Sequence, residues 1–325
     1  VIAYFKDRNS FQVPALLFVA LALKLVFINY PHYDAGSQPG GLLSQWLSLK
    51  VMVWLNPAFA ATLSQIIIFL SALFASYLLI SCRMFGRNNL LVALSILLFT
   101  SLFPASNQLS PATLMLPLSI LLFRQVTQLY NRTAARPVII NLGMIAGLGY
   151  LLYHPFAWLI PFCFVGLAGM RPFKITEWLL LLAGIITPAY FLLSYQFFTD
   201  QLHVKEHFIS WNYYSQFPHF SMYTWIAAAA ALIWILAAIP LWQGQMRRML
   251  IQSRKNWYQL MFMGIFILPM ALVPKGNIAE TITLLSFPAG SLAANVFQGE
   301  NKLFPLILFW VLIACIGVAA WGFIH

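Results

Sequence analysis

Charge is what this chain has least of. Its 325 residues include 18 Lys or Arg and only 7 Asp or Glu, where a soluble domain of this length carries about 80 charged side chains. A water-soluble globule has to cover its surface with polar groups, so that class is excluded. Cysteine is scarce too. Cys82, Cys163 and Cys315 fall in or beside separate apolar runs without CxxC spacing, which argues against a disulfide framework or a metal knuckle. No repeat period, low-complexity tract or soluble segment interrupts the chain, so residues 1–325 read as a single integral-membrane domain.

What is present is apolar sequence: 62% of the residues are hydrophobic. Apolar runs fall near 12–29, 58–81, 90–105, 110–124, 138–153, 156–170, 177–197, 222–242, 257–273, 281–297 and 304–324. A membrane helix needs about 20 such residues to cross a hydrocarbon core of about 30 Å. The pattern predicts an all-α, polytopic transmembrane bundle of about eleven membrane helices. Several runs are short or hold an internal proline (Pro117, Pro161, Pro188, Pro269, Pro288), where a kinked or partial span is expected. Leu17 to Ile28 leads into polar sequence without a small-residue cleavage site, so the first span is expected to remain as an anchor.

The net charge of +11 does not point to nucleic acid, because the basic residues sit in short loops between apolar runs rather than on one solvated face. They orient the chain instead. With the N-terminus cytoplasmic and the sides alternating, fourteen of the 18 basic residues fall inside; Lys50, Lys205 and Lys275 fall outside, and Lys24 falls within the first helix. This predicts a bacterial inner-membrane protein with an external C-terminus. All six histidines and Asp34, Asp200, Glu206 and Glu280 then gather at or beside the outer face, where arginine is absent.

Two external segments, 29–57 and 198–221, are long enough to contribute to a site. In the first, Asp34 lies between His32-Tyr33 and a glycine-rich turn, and Leu42 to Leu55 reads as a helix lying along the membrane surface. A carboxylate just beyond the membrane suits a general base; a solvated turn acid is the plainer alternative. Lys24, near the outer end of the first helix, either snorkels outward or offers a point charge to a lipid phosphate. The turn "VPKGNIAE" sets Lys275 and Asn277 before a helix start, with Glu280 in its first turn. That is an anion-binding arrangement, although an acid there is also ordinary capping. His203, Glu206 and His207 match His-x-x-Glu-His, but with three fixed residues in a histidine-rich loop no resident metal is expected. Gly143 and Gly147 form a GxxxG step, which predicts close helix packing.

Three features together resemble the GT-C superfamily of polyprenyl-phosphate-sugar glycosyltransferases, its protein-mannosyltransferase-like branch especially. The first is the leading helix followed by a loop with Asp34 and an interfacial helix. The second is "LFPASNQLSPATLMLPLSILLFRQVTQLYNR", whose helix starts at Ser-Pro and ends in basic residues. The third is "LPMALVPKGNIAETITLLSFPAGSLAAN". The resemblance implies a polyprenyl-phosphate sugar donor, Asp34 as the acceptor-activating base and Lys275 on the lipid phosphate. His32, Tyr33, Lys24, Asn277 and Glu280 would line the substrate site. The sequence departs from that family where Ala35 follows Asp34 in place of a second acid. The opening "VIAYFKDRNSFQVPALLF" also resembles a family of bacterial multi-pass inner-membrane proteins of unassigned function. Two functions therefore stand open: an enzyme acting on a lipid-linked sugar, or a non-catalytic subunit scaffolding a cell-envelope protein complex. A transporter ranks behind both, for want of an inverted repeat.

Overall fold

The computed structural model describes residues 5, 11–28, 57–86, 89–103, 106, 109–198, 222–272, 278–299 and 303–324. Among them are eleven α-helices: α1 (Gln12–Ile28), α2 (Pro57–Ser81), α3 (Leu91–Leu102), α4 (Pro111–Thr127), α5 (Arg136–Leu152), α6 (Leu159–Met170), α7 (Ile175–Phe198), α8 (Met222–Met246), α9 (Ile251–Ile267), α10 (Ile278–Gln298) and α11 (Leu303–Ile324). Each coincides with one of the apolar runs. The protein is an all-α bundle, and four of its helices are long and apolar enough to cross a membrane: α2, α7, α8 and α11.

The short helices are short for local reasons. α3 has twelve residues, about 18 Å at 1.5 Å per residue, and every one is buried. It is enclosed by α1, α2, α10 and α11, with α10 lying most closely along it. Pro269 lies in the 3₁₀ turn Leu268–Leu272 that follows α9, as expected where proline removes a backbone donor. A second 3₁₀ turn, His154–Trp158, precedes α6. α9 begins six residues before the apolar run that signalled it. Those residues, Ile251 to Asn256, include Arg254 and Lys255, so the backbone ladder continues past the hydrophobic stretch. At α4, the Ser110 amide donates to Thr113 Oγ1 at 3.2 Å, and that hydroxyl donates back to the Ser110 carbonyl at 2.6 Å. Pro111 occupies the first turn, where its missing N–H costs nothing.

Backbone approach organises one flank. α7 packs on α5 through Gly143, Gly147 and Gly184, as the GxxxG spacing predicts. A methyl group on Gly147 would run into the Ile185 carbonyl, and one on Gly143 into that of Leu181.

Tertiary contacts define the two ends of the bundle. At one, Arg171 forms a bidentate pair with Glu177, Nε and Nη2 each donating at 2.9 Å, while its Nη1 donates to the Arg132 carbonyl. Nearby, Lys255 Nζ donates to the Gly169 carbonyl at 3.3 Å and sits 5.2 Å from the Tyr130 ring centre. Ser253 Oγ reaches the Cys82 carbonyl at 3.4 Å. The turns at this end carry Arg83, Arg132, Arg171, Arg247 and Arg248, so it is the arginine end. The other end is built from the two 3₁₀ turns, which touch each other, and the start of α10. Cys82, Cys163 and Cys315 are free thiols on separate elements.

Candidate functional site

The end opposite the arginines brings a carboxylate and a phenol together inside the core. Glu280 is the third residue of α10, in its first turn. A negative charge there is favoured by the helix dipole, and solvent-facing capping would explain an exposed side chain. Glu280 is instead buried, at 7% exposure. Tyr153 lies in the single-residue break between α5 and the 3₁₀ turn, with an extended backbone and no exposed surface. The break follows from Pro155, because a residue near a proline resists continuing the helix.

Burial pushes the Tyr153 phenol well above the usual tyrosine range, and the Glu280 carboxylate beside it pushes it further. The carboxylate acts through its charge and through hydrogen bonding with the phenol. Beside it, the His154 ring stacks on Tyr150, with centroids 5.1 Å apart and planes 28° from parallel. Thr281, next along α10, is also buried. The second 3₁₀ turn packs against both α10 and the turn that carries His154, closing the assembly.

The arrangement holds a carboxylate on α10 and, on the consecutive residues Tyr153 and His154, a phenol and an imidazole at one end of the bundle. It can accept hydrogen bonds from a hydroxylated ligand, or hold a proton between carboxylate and phenol. Among the described residues, no group of three or more His, Cys, Asp or Glu side chains is placed to bind a metal ion.

Of the candidate catalytic, substrate and metal residues read from sequence, Glu280 alone has a described side chain. Lys24 falls within α1, but its side chain lies outside the described residues, and so do Asp34, His32, Tyr33, Lys275, Asn277, His203, Glu206 and His207. The surface helix expected over 42–55 lies outside them as well. Sequence reasoning missed Tyr153. The available signal was "YLLYHPFAW", where tyrosine, histidine and proline interrupt two apolar runs.

Comparison with known proteins adds a family and no activity. No curated protein and no solved structure matches the chain. The profile of one family of unknown function, DUF6427, matches residues 41–321, most of the sequence; the chain belongs to that family.

Proposed function

We propose that this protein handles a lipid-linked, polyprenyl-phosphate sugar at the outer face of a bacterial inner membrane, as a glycosyltransferase with a GT-C-like framework. In this reading all eleven helices sit in the membrane, wholly or in part. The N-terminus is cytoplasmic and the C-terminus external. The arginine end then faces the cytosol, following the positive-inside bias, and the Glu280–Tyr153 pair faces the periplasm. One observation carries the proposal: a buried carboxylate apposed to a buried phenol at the end that lacks the arginine-bearing turns. A polar pair in a membrane core is costly unless it serves binding or chemistry.

In the proposed site Glu280 and Tyr153 take up sugar hydroxyls. Lys275 and the α10 N-terminus neutralise the lipid phosphate, Lys24 adds a further positive charge, and His32, Tyr33 and Asn277 contact the substrate. Asp34 removes the acceptor proton as the phosphate–sugar bond breaks, and the polyprenyl phosphate leaves. Positioning and charge neutralisation supply most of the rate. The test is transfer from a labelled polyprenyl-phosphate sugar by purified protein in lipid. Glu280→Gln, Asp34→Asn and Lys275→Ala are each expected to abolish or sharply reduce it while the protein stays folded. Unchanged transfer in all three removes the assignment.

The buried pair also suits a second reading, in which Glu280 ties the start of α10 to the Tyr153 turn within a non-catalytic envelope subunit. In that case a stoichiometric protein partner co-purifies in mild detergent, and no lipid-linked sugar is turned over.

A further inference from the structure

The arginine-end half of the bundle contains a second polar feature that the proposed activity does not use. Ser253, Asn256, Leu260, Met263 and Ile267 follow one another along the buried strip of α9. Asn256 is 1% exposed, and neither its amide nitrogen nor its amide oxygen has a partner. Exchanging the two atoms would change nothing, so the unmet demand belongs to the site. Gln259 Oε1, one turn away, is buried and unpartnered too; its amide lies against Gly166 and Gly169 of α6. The indole nitrogens of Trp257 and Trp242 are likewise buried without partners, in rings whose centres are 6.0 Å apart.

A neighbouring helix contributes at the same depth. Gly264 of α9 faces the Pro288 ring of α10, which fixes the register of the two helices. Counting from that contact, Asn256 and Asn295 are both about 10–12 Å nearer the arginine end. Asn295 is fully buried; its amide nitrogen donates to the Leu292 carbonyl at 2.8 Å, while its Oδ1 has no partner.

Three donors (Asn256 Nδ2, Trp242 Nε1, Trp257 Nε1) and three acceptors (Asn256 Oδ1, Gln259 Oε1, Asn295 Oδ1) are thus unmet here, with Trp234 Nε1, whose ring contacts Phe297, unmet nearby as well. An anion satisfies only the donors and a cation only the acceptors. A ligand that both donates and accepts satisfies all six, and water is the smallest that does. Buried polar groups in folded proteins are met by protein or by ordered water, and hydrocarbon offers them nothing.

We propose that α6, α8, α9 and α10 enclose a buried water cluster near the arginine end, held by Asn256, Gln259, Asn295, Trp242 and Trp257. The cluster is a binding site for water inside the bundle, a hydrated pocket reaching inward from the arginine face. It is independent of the Glu280–Tyr153 pair.

X-ray hydroxyl-radical footprinting tests it, because bound water generates radicals in place and marks side chains that bulk solvent does not reach. The full-length protein is irradiated in lipid nanodiscs and read by mass spectrometry at Trp257 and Met263, both fully buried. Met263 oxidises readily and lies about 9 Å deeper than Trp257, one turn beyond Gln259, so it marks the dry floor of the cluster. Trp257 is expected to be labelled and Met263 spared; in Asn256→Leu/Gln259→Leu the Trp257 label should be lost. An unlabelled Trp257 in the wild-type protein overturns the proposal, as does labelling that persists in the double variant. A dry layer would also show in the melting temperature, since leucine replacing an unpaired amide would then raise it. If the double variant does not fold, the wild-type contrast between Trp257 and Met263 decides the matter alone.

Discussion

Two glutamates occupy the same local position in this bundle and meet opposite treatment. Glu177 is the third residue of α7, in "ITEW", and Glu280 the third of α10, in "IAET". Both are buried in a first helical turn, where the helix dipole favours a negative charge. Glu177 lies in a guanidinium fork, with both oxygens engaged by Arg171 and the same arginine reaching the Arg132 carbonyl. Glu280 faces the buried phenol of Tyr153. The helix position is therefore not what makes an acid structural or available. The known partner differs: at Glu177 it is a bidentate cation, whereas at Glu280 it is a phenol, a neutral group with a single donor.

The harshest way to separate the two ends is to part the helices that carry them. α5 runs from the arginine end into Tyr153, and α7 begins beside Glu177. Gly147→Leu drives a side chain into the Ile185 carbonyl, so α7 should no longer dock. The expected cost exceeds about 3 kcal/mol, because backbone rather than a flexible side chain would have to yield. Thermal unfolding in detergent measures the loss. A disulfide engineered between α7 and α5 should cease to form in the variant, while one between α10 and the Tyr153 turn should survive. Loss of both would show that the ends are not independent.

Breaking the fork itself should come next in size. Arg171 and Glu177 side chains are each 11% exposed, so Arg171→Ala strands a carboxylate in a largely desolvated position and should cost about 3 kcal/mol. Arg171→Lys recovers only part, since an ammonium cannot reproduce the fork. Glu280→Gln should by contrast cost under about 1 kcal/mol, because it leaves no charge stranded. Equal losses of melting temperature at the two glutamates would erase the distinction.

Alkaline pH probes the other partner. The folded-state phenol of Tyr153 is raised above its unfolded value of 10.0, chiefly by burial and then by Glu280. Below that value both states keep the proton and the shift contributes its full stability. As the pH rises above 10, the unfolded chain releases the proton more readily than the folded one, and stability falls. Tyr153→Phe should therefore flatten the decline in melting temperature above pH 10 while shifting it little at pH 7. A decline that is unchanged in the variant would mean that the Tyr153 phenol does not titrate differently in the folded and unfolded chains.

Hydropathy made the helices legible because every apolar run had to become a backbone-satisfied element, and in a membrane that means a helix. The Gly143–Gly147 packing and the Ser110-Pro111 start were legible for similar reasons, since each is written within one turn or two. Tyr153 was not, because its meaning depends on Glu280, far along the chain, and on a break in α5 that apolar sequence hides. Asn256 escaped for another reason. It stands beside Arg254 and Lys255, where a polar residue reads as the solvated edge of a span. Only the packing of α6 and α10 against α9 turns that edge into core.

The smallest expected effect concerns the arginine end alone. Arg83 follows α2 with a φ of 56°, a left-handed conformation that glycine adopts without penalty. Its amide donates to the Ile80 carbonyl and the Met84 amide to that of Leu79, the double closure that ordinarily recruits glycine at this position. Arg83→Gly should therefore raise stability by about 0.5–1 kcal/mol, read as a small gain in melting temperature. On the proposed sidedness Arg83 lies in a cytoplasmic turn, where its charge would contribute to orientation. The same variant should weaken the positive-inside bias, so a reporter fused after α2 should show a greater fraction of inverted chains. A variant that gains stability with no change in that fraction would assign the strain at Arg83 to neither the fold nor its sidedness.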